Sequence, residues 1–284
     1  MHHYLEIEKN CSFKCVFCVR GKSVVLRNRV DMWASKELDY IPLSEIVSKD
    51  IRNGRVVLTG GEPTLNPDLY DILVHLKEPD RKNSVTLQTN ATRFCDPDFT
   101  KKVAPYINGL QIPCYGGTRE VFEASCGVTG AWDMWNRALD NLHHCSSFRG
   151  NVSAIVVLTK INIDSLEDII SVVNAKDIFD EVFFKSLHYT SFVVDNKDLI
   201  GITQTEELTK LDKKLSLVHK PYSVDDAYPC ILEKLGLSYE EMGYSNLLSS
   251  LYTKIHACEN CKHVSCRGVE KNYLKVFGDS EFTS

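Results

Sequence analysis

Over its first 190 residues the chain alternates short apolar runs with stretches of helical spacing. The segments HYLEIE (3–8), RVVLT (55–59), SVTLQT (84–89), GLQIP (109–113), NVSAIVVLT (151–159) and DEVFFKSL (180–187) are rich in Val, Ile and Phe, and several are almost uninterrupted apolar runs. That pattern predicts strands buried on both faces of a parallel sheet. Between them, Leu69, Ile72, Leu73 and Leu76 recur at i, i+3, i+4, i+7, as do Trp135, Ala138, Leu139 and Leu142, and again Leu166, Ile169, Ile170 and Val173. Each set predicts an amphipathic helix, with Asn66 and Asp164 placed to cap the first and third. Six strands joined by helices fit either a doubly wound sheet or a partial barrel, and periodicity does not choose between them.

After about residue 190 the alternation stops. One further helical pattern, TEELTKLDKKLSLVH (205–219), precedes a loop-rich remainder, which predicts a soft boundary near 200 between a 1–200 domain and a 201–284 domain. A chain of 284 residues with 43% hydrophobic residues can bury a full core. Its net charge of −5 and sequence pI near 6.0 argue against a nucleic-acid binder. No apolar run reaches membrane-spanning length and the first ten residues lack a signal-peptide core, so the expectation is a soluble cytoplasmic protein.

Eleven cysteines change this picture. Cytosolic thiols are normally reduced, and the count is odd, so metal binding explains them better than a disulfide framework. Cys11, Cys15 and Cys18 follow the first strand directly, on the carboxyl-end face where parallel architectures build their sites. The second strand ends in Gly60, Gly61, Glu62 and Pro63. Paired glycines there allow a close backbone approach to a ligand, and the Glu62 carboxylate suits a cationic amine. A second group, Cys258, Cys261 and Cys266 with Cys230 upstream, sits near the end.

The Cys-x3-Cys-x2-Cys motif with Phe17 before its last cysteine, followed by Gly-Gly-Glu-Pro after the second strand, resembles the radical S-adenosylmethionine (SAM) superfamily over roughly residues 3–190. The resemblance implies a partial (β/α)6 barrel, an electron donor such as flavodoxin or ferredoxin, and a [4Fe–4S] cluster held by Cys11, Cys15 and Cys18. Three thiolates leave one iron open. In the family SAM fills that position, and an electron from the cluster cleaves it to a 5′-deoxyadenosyl radical that abstracts hydrogen from a substrate.

Further site residues come from the same likeness. Phe17 is similar to the residue packing near the adenine, and Glu62 to the partner of the methionine amine. QTNAT (88–92) resembles a Thr-Asn-Gly turn, which places Asn90 in the SAM site. Pro113 stands where the family usually carries a serine, so Gln111 and Asn162 are the substitute contacts. Cys114 and Cys126, on the active-site side of strand four, are candidate hydrogen donors.

The second cysteine group resembles the auxiliary-cluster domains called SPASM and twitch, with fewer cysteines than a full SPASM domain; it implies one further [4Fe–4S] cluster on Cys230, Cys258, Cys261 and Cys266. A zinc site remains open for either group, drawing on His2 or His3 for the first. His256 or His263 could replace Cys230 in the second. RGKSVVLRNRVDMWASK (20–36) sets Arg20, Lys22, Arg27, Arg29 and Lys36 against Asp31, which suits an acidic substrate, a peptide or a solvated loop.

The leading reading is side-chain modification of a ribosomally made peptide or protein. The early motif predicts no leader-binding domain and points to a small substrate or a separate peptide-recognition partner. Oxidation, rearrangement or epimerisation of a small molecule is the alternative. The competing class is a non-catalytic iron–sulfur or zinc protein.

Overall fold

The computed structural model describes residues 2–20, 25–26, 40–237 and 250–282. Seven parallel strands form one sheet in sequence order: β1 His2–Glu8, β2 Asn53–Gly60, β3 Lys82–Gln88, β4 Gly109–Pro113, β5 Asn151–Val157, β6 Glu181–Lys185 and β7 Tyr222–Asp225. Register runs Val56↔Val85, Leu87↔Leu110, Leu110↔Val152 and Ala154↔Val182, so each interior strand sets apolar side chains beside apolar side chains. All of these residues are buried. The order without a closing pair makes the sheet a partial barrel, as expected, with one strand more than six.

The additional strand, β7, comes after α9 (Gln204–Leu215) and pairs in parallel with β6. It is short, lies at the sheet edge and is only partly buried, so YSVD carries no apolar run to announce it. The sheet therefore continues past residue 200, the expected change of architecture. The segment beyond β7 also shares the barrel's core: Tyr228, Ile231, Val269, Tyr273 and Phe282 belong to the same buried cluster. Tyr189 meets Tyr273 edge-on at 5.0 Å, and Tyr228 meets Phe282 at 5.1 Å.

The helical patterns sit where their spacing put them: α2 Leu69–Leu76, α5 Ala131–His144 and α6 Leu166–Ala175 each bury all four periodic residues. Their caps differ. Asn66 precedes the Asp68 cap position; its Nδ2 donates to the Ile7 carbonyl at 2.6 Å and to the Ile41 carbonyl at 3.0 Å. It thereby ties the end of β1 to the segment entering α1 (Leu43–Val47). Asp164 lies in a short turn before α6 and pairs with Lys210 at 2.8 Å instead of capping. Among the described residues no helix is long and apolar enough to cross a membrane.

Because Asn66 is 1% exposed, its removal would take one buried or half-buried bond from each of the Ile7 and Ile41 carbonyls. Asn66→Ala is expected to cost about 2 kcal/mol, read as a lower guanidinium midpoint at unchanged slope. An unchanged midpoint would show that water replaces both bonds.

Candidate active site

At the carboxyl ends of the strands, a bulge between Glu6 and Glu8 ends the regular pairing of β1 with β2. The chain then runs alongside the Gly60–Gly61 pair. Gly61 N donates to the Glu8 carbonyl at 2.7 Å and Glu62 N to the Asn10 carbonyl at 2.8 Å. A Cβ on Gly60 would stand 2.1 Å from the Glu8 carbonyl oxygen, and one on Gly61 2.2 Å from that of Asn10. Gly60 also has φ +140°. The two glycines are thus required by the neighbouring backbone, whereas their pairing in the sequence suggested a ligand.

This contact fixes the start of the cysteine loop, and α4 (Arg119–Cys126) fixes the rest. Lys14 N and Val16 N donate to the Cys126 and Ser125 carbonyls at 2.8 and 3.2 Å, using acceptors freed at the helix end. Phe13 packs edge-on against Phe122, and Phe17 against Tyr115 at 4.8 Å. Cys11, Cys15 and Cys18 consequently border one cavity of about 360 Å³, together with Phe17, Gly60, Gly61, Asn90, Gln111 and Pro113. Burial pushes the Cys11 and Cys15 thiols up, Cys15 further through Cys11 and Cys18. As thiolates these groups need a bound cation beside them. Among the described residues, which include all eleven cysteines, there is no disulfide.

Other expected residues lie elsewhere. Glu62 is behind the cavity wall, 1% exposed, and braces two turns: its Oε1 accepts from Thr64 N, Thr64 Oγ1 and Thr89 Oγ1 at 3.0, 2.7 and 2.6 Å, its Oε2 from Asn90 N at 2.6 Å. Burial raises its carboxyl pKa against these bonds. Pro63 is buried beside it. Asn162 does not face the cavity: its Oδ1 accepts from Thr159 N and its Nδ2 donates to the Tyr115 and Val157 carbonyls, bracing the end of β5. Cys114 and Cys126 are packed in the core and do not line the cavity, and burial pushes both thiols up to about 12. The expected hydrogen-donor role thus falls on two thiols that the structure sets back from the cavity. Of the basic loop, Arg20 lines the cavity and pairs with Glu6 at 2.8 Å; Lys22, Arg27, Arg29, Asp31 and Lys36 lie outside the described residues.

The opposite wall carries no signal in the sequence. Lys185 ends β6, His188 lies just beyond it and Asp226 just beyond β7, and all three line the cavity. Lys185 Nζ stands 3.2 Å from both Asp225 Oδ2 and Asp226 Oδ2. His188 Nε2 is 3.5 Å from Asp226 Oδ1 and its Nδ1 is 2.8 Å from Glu270 Oε1. Burial alone would lower the His188 pKa; Asp226 and Glu270 together push it up to about 10. Single charged residues after short strands have no diagnostic spacing, so only their convergence marks them.

The second cysteine group also converges. Cys230, Cys258, Cys261 and Cys266 border a pocket of about 40 Å³ with His263. The His263 ring is engaged by Glu233 at 2.9 Å, and the side chain of His256 is 92% exposed and paired with Glu259. His2 and His3 sit at the opposite end of β1 from Cys11. Among the described residues no three His, Cys, Asp or Glu side chains close on a single ion. A zinc site needs sulfurs about 2.3 Å from one point, whereas an iron–sulfur cluster spreads its thiolates around a larger body.

Residues 5–173 match the profile of the Radical SAM superfamily. Among curated proteins, molybdenum cofactor biosynthesis protein 1 of Bos taurus is 29% identical over 91 residues, covering 31% of this chain and 14% of that protein. A probable GTP 3′,8-cyclase of Saccharolobus islandicus is 29% identical over 136 residues, covering 46% of this chain and 39% of that one. The chain thus spans well under half the length of these relatives. A solved structure of native anSMEcpe with bound AdoMet superposes with TM-score 0.56 at 16% identity, over 76% of this chain and 59% of that. Streptococcus suis SuiB bound to S-adenosylmethionine gives 0.53 at 15%, over 100% and 65%. At such identities these structures speak for the fold alone.

The His188 contacts predict a pH dependence. Its pKa of about 10 exceeds the ordinary 6.5, so the stability it adds is complete below about pH 6.5 and is lost as pH rises through 10. Thermal melts across that range should fall less steeply for His188→Gln than for the unaltered protein. Equal slopes would mean that the ring does not carry the charge.

Proposed function

The chain belongs to the radical SAM superfamily, and on that premise we propose that it uses SAM to modify a side chain of a peptide or protein. Enzymes of this superfamily use a [4Fe–4S] cluster and SAM. The observation that carries the reading here is the placement of Cys11, Cys15 and Cys18 on the border of one cavity beside Gly60 and Gly61. In this reading the three thiols hold the cluster. When bound, the reduced cluster and SAM together supply a 5′-deoxyadenosyl radical that removes hydrogen from a substrate.

The chain's own groups then have separable tasks. The edge-on pair of Phe17 and Tyr115 offers an aromatic wall for the adenine. Gln111 Oε1 already accepts from Gln88 Nε2 at 2.7 Å, which leaves the Gln111 amide N–H groups for a ligand oxygen. Asn90 Nδ2 donates to Ser12 Oγ at 2.9 Å and holds the cysteine loop against the turn after β3. Glu62 Oε2 accepts from Asn90 N, so this buried carboxylate positions the turn after β3 that borders the cavity. Reduced thiols suit a reducing compartment such as the cytoplasm, with a flavodoxin or ferredoxin as electron donor.

Cys230, Cys258, Cys261 and Cys266 would hold the auxiliary cluster. The peptide reading draws support from a structural neighbour described with bound AdoMet and a peptide, at TM-score 0.54, and would call on a separate peptide-recognition partner. A small-molecule reaction is favoured instead by the molybdenum-cofactor and cyclase names of the curated relatives.

Anaerobic reconstitution should give about eight irons per chain, four for each cluster, and 5′-deoxyadenosine on addition of dithionite and SAM. Cys15→Ala is expected to drop iron to about four and abolish 5′-deoxyadenosine; Cys261→Ala should also lose about four irons while still binding SAM. A fully iron-loaded protein that makes no 5′-deoxyadenosine would sink the reading.

A further inference from the structure

Tyr115 stands two residues beyond β4 and lines the triad-bordered cavity. The chain around it is pinned. Cys114 N donates to the Ile155 carbonyl at 2.8 Å, and the Tyr115 carbonyl accepts from Asn162 Nδ2 at 3.1 Å and Ser125 Oγ at 3.4 Å. The ring packs against Phe17, edge-on at 4.8 Å, and against Phe122, stacked at 6.3 Å. With backbone and ring both held, the fold sets where the hydroxyl lies.

That hydroxyl has no hydrogen-bond partner among the described residues. Other phenols of this protein are used. Tyr189 donates to the Ile202 carbonyl at 2.7 Å, Tyr252 to Glu270 Oε1 at 3.2 Å, and Tyr273 to Glu281. Two further hydroxyls on the cavity wall are also spent, Thr89 on Glu62 and Ser186 on Glu207. A phenol withdrawn from bulk water normally finds an acceptor, so an unused one on a cavity wall points to a bound group.

The surroundings narrow that group. The thiols are the charges coupled most strongly to the phenol, Cys15 first, then Cys18 and Cys11. Burial, followed by these thiols, holds the phenol proton well above its usual range, so the group remains a donor. Phe17, Pro113 and Val157 make the neighbouring wall apolar and offer no competing side-chain acceptor.

We propose that Tyr115 donates an O–H···S hydrogen bond to the cluster held by Cys11, Cys15 and Cys18 and thereby raises its reduction potential. The inference rests on the reading of the triad as the cluster site and deepens it by assigning a residue that poises the cluster. Reduction adds negative charge to the cluster sulfurs, and a donor beside them stabilises the reduced form more than the oxidised one.

The test is an EPR-monitored redox titration of the anaerobically reconstituted protein without SAM, following the signal that is absent from Cys15→Ala. Tyr115→Phe keeps the ring and its aromatic contacts. It should lower the midpoint by about 59 mV, a ten-fold loss in the one-electron reduction equilibrium. An unchanged or raised midpoint would overturn the inference, and an unchanged midpoint with weakened SAM binding would give the hydroxyl to a SAM oxygen instead. Should Tyr115→Phe fail to load iron, the unaltered protein decides. Tyr115 is the only tyrosine among the described residues lining this cavity. Protein grown on tyrosine deuterated beside the hydroxyl should therefore show deuterium coupled to the reduced triad cluster in pulsed EPR, and no coupling would overturn the proposal. Iron and 5′-deoxyadenosine are measured in the same samples. A lowered midpoint without 5′-deoxyadenosine would refute the proposed reaction and leave the hydrogen bond standing; 5′-deoxyadenosine with an unchanged midpoint would remove this inference alone.

Discussion

The structure around the cavity depends on two stretches of backbone that touch with no side chain between them. Residues 8–10 and 60–62 are joined by hydrogen bonds of 2.7 and 2.8 Å, at a separation that a single methyl group on Gly60 or Gly61 would violate. That contact sets where the cysteine loop begins. It also places Glu62 so that its buried carboxylate can gather Thr64, Thr89 and Asn90. Asn90 in turn reaches Ser12 within the cysteine loop. The three strand ends are thus closed into one unit by short, buried, mutually dependent bonds. In such networks the loss of one partner strands the others, so position is enforced more strictly than stability alone would demand.

The opposite wall is organised by charge. Glu270 accepts from the His188 ring, from Tyr189 N at 2.8 Å and from Tyr252 OH at 3.2 Å, which links the barrel to the segment carrying the second cysteine group. Tyr228 OH accepts from Glu270 N at 3.2 Å. The same carboxylate therefore ties the segment beside the far pocket to the wall of the main cavity. The aromatic cluster of Tyr189, Tyr228 and Tyr273 packs behind it and keeps water from weakening these interactions. Two cysteine groups flanking a wall of paired charges is an arrangement that neither group implies by itself.

Much of this was legible in the chain. Six strands and four helices come from apolar spacing, because burial imposes runs on the strands of a parallel sheet and a periodic stripe on the helices that cover it, and every helical residue named from spacing is buried. The cysteine triad and the Gly-Gly pair are local motifs, and their convergence results from successive strands ending on one face. Where sequence and structure part, a local preference met a tertiary competitor. Asn66 accepts from Asp68 N at the start of α2 and spends its Nδ2 across the fold, whereas Asp164 gives up its capping position to pair with Lys210. Asn162 and Glu62 suit a ligand by position, yet the fold spends most of their hydrogen-bonding capacity on backbone and hydroxyl groups.

By itself the sequence determined the strand and helix order, the face on which the cysteines lie and the paired glycines, because each is written in periodicity or in adjacent residues. Only the tertiary structure decided that β7 joins the sheet, that the tail shares the barrel core and that Lys185, His188, Asp226 and Glu270 gather on one wall. His188 and Glu270 are 82 positions apart, with no period and no spacing to reveal their contact. Burial and charge pairing select such groups only after the chain has closed around them.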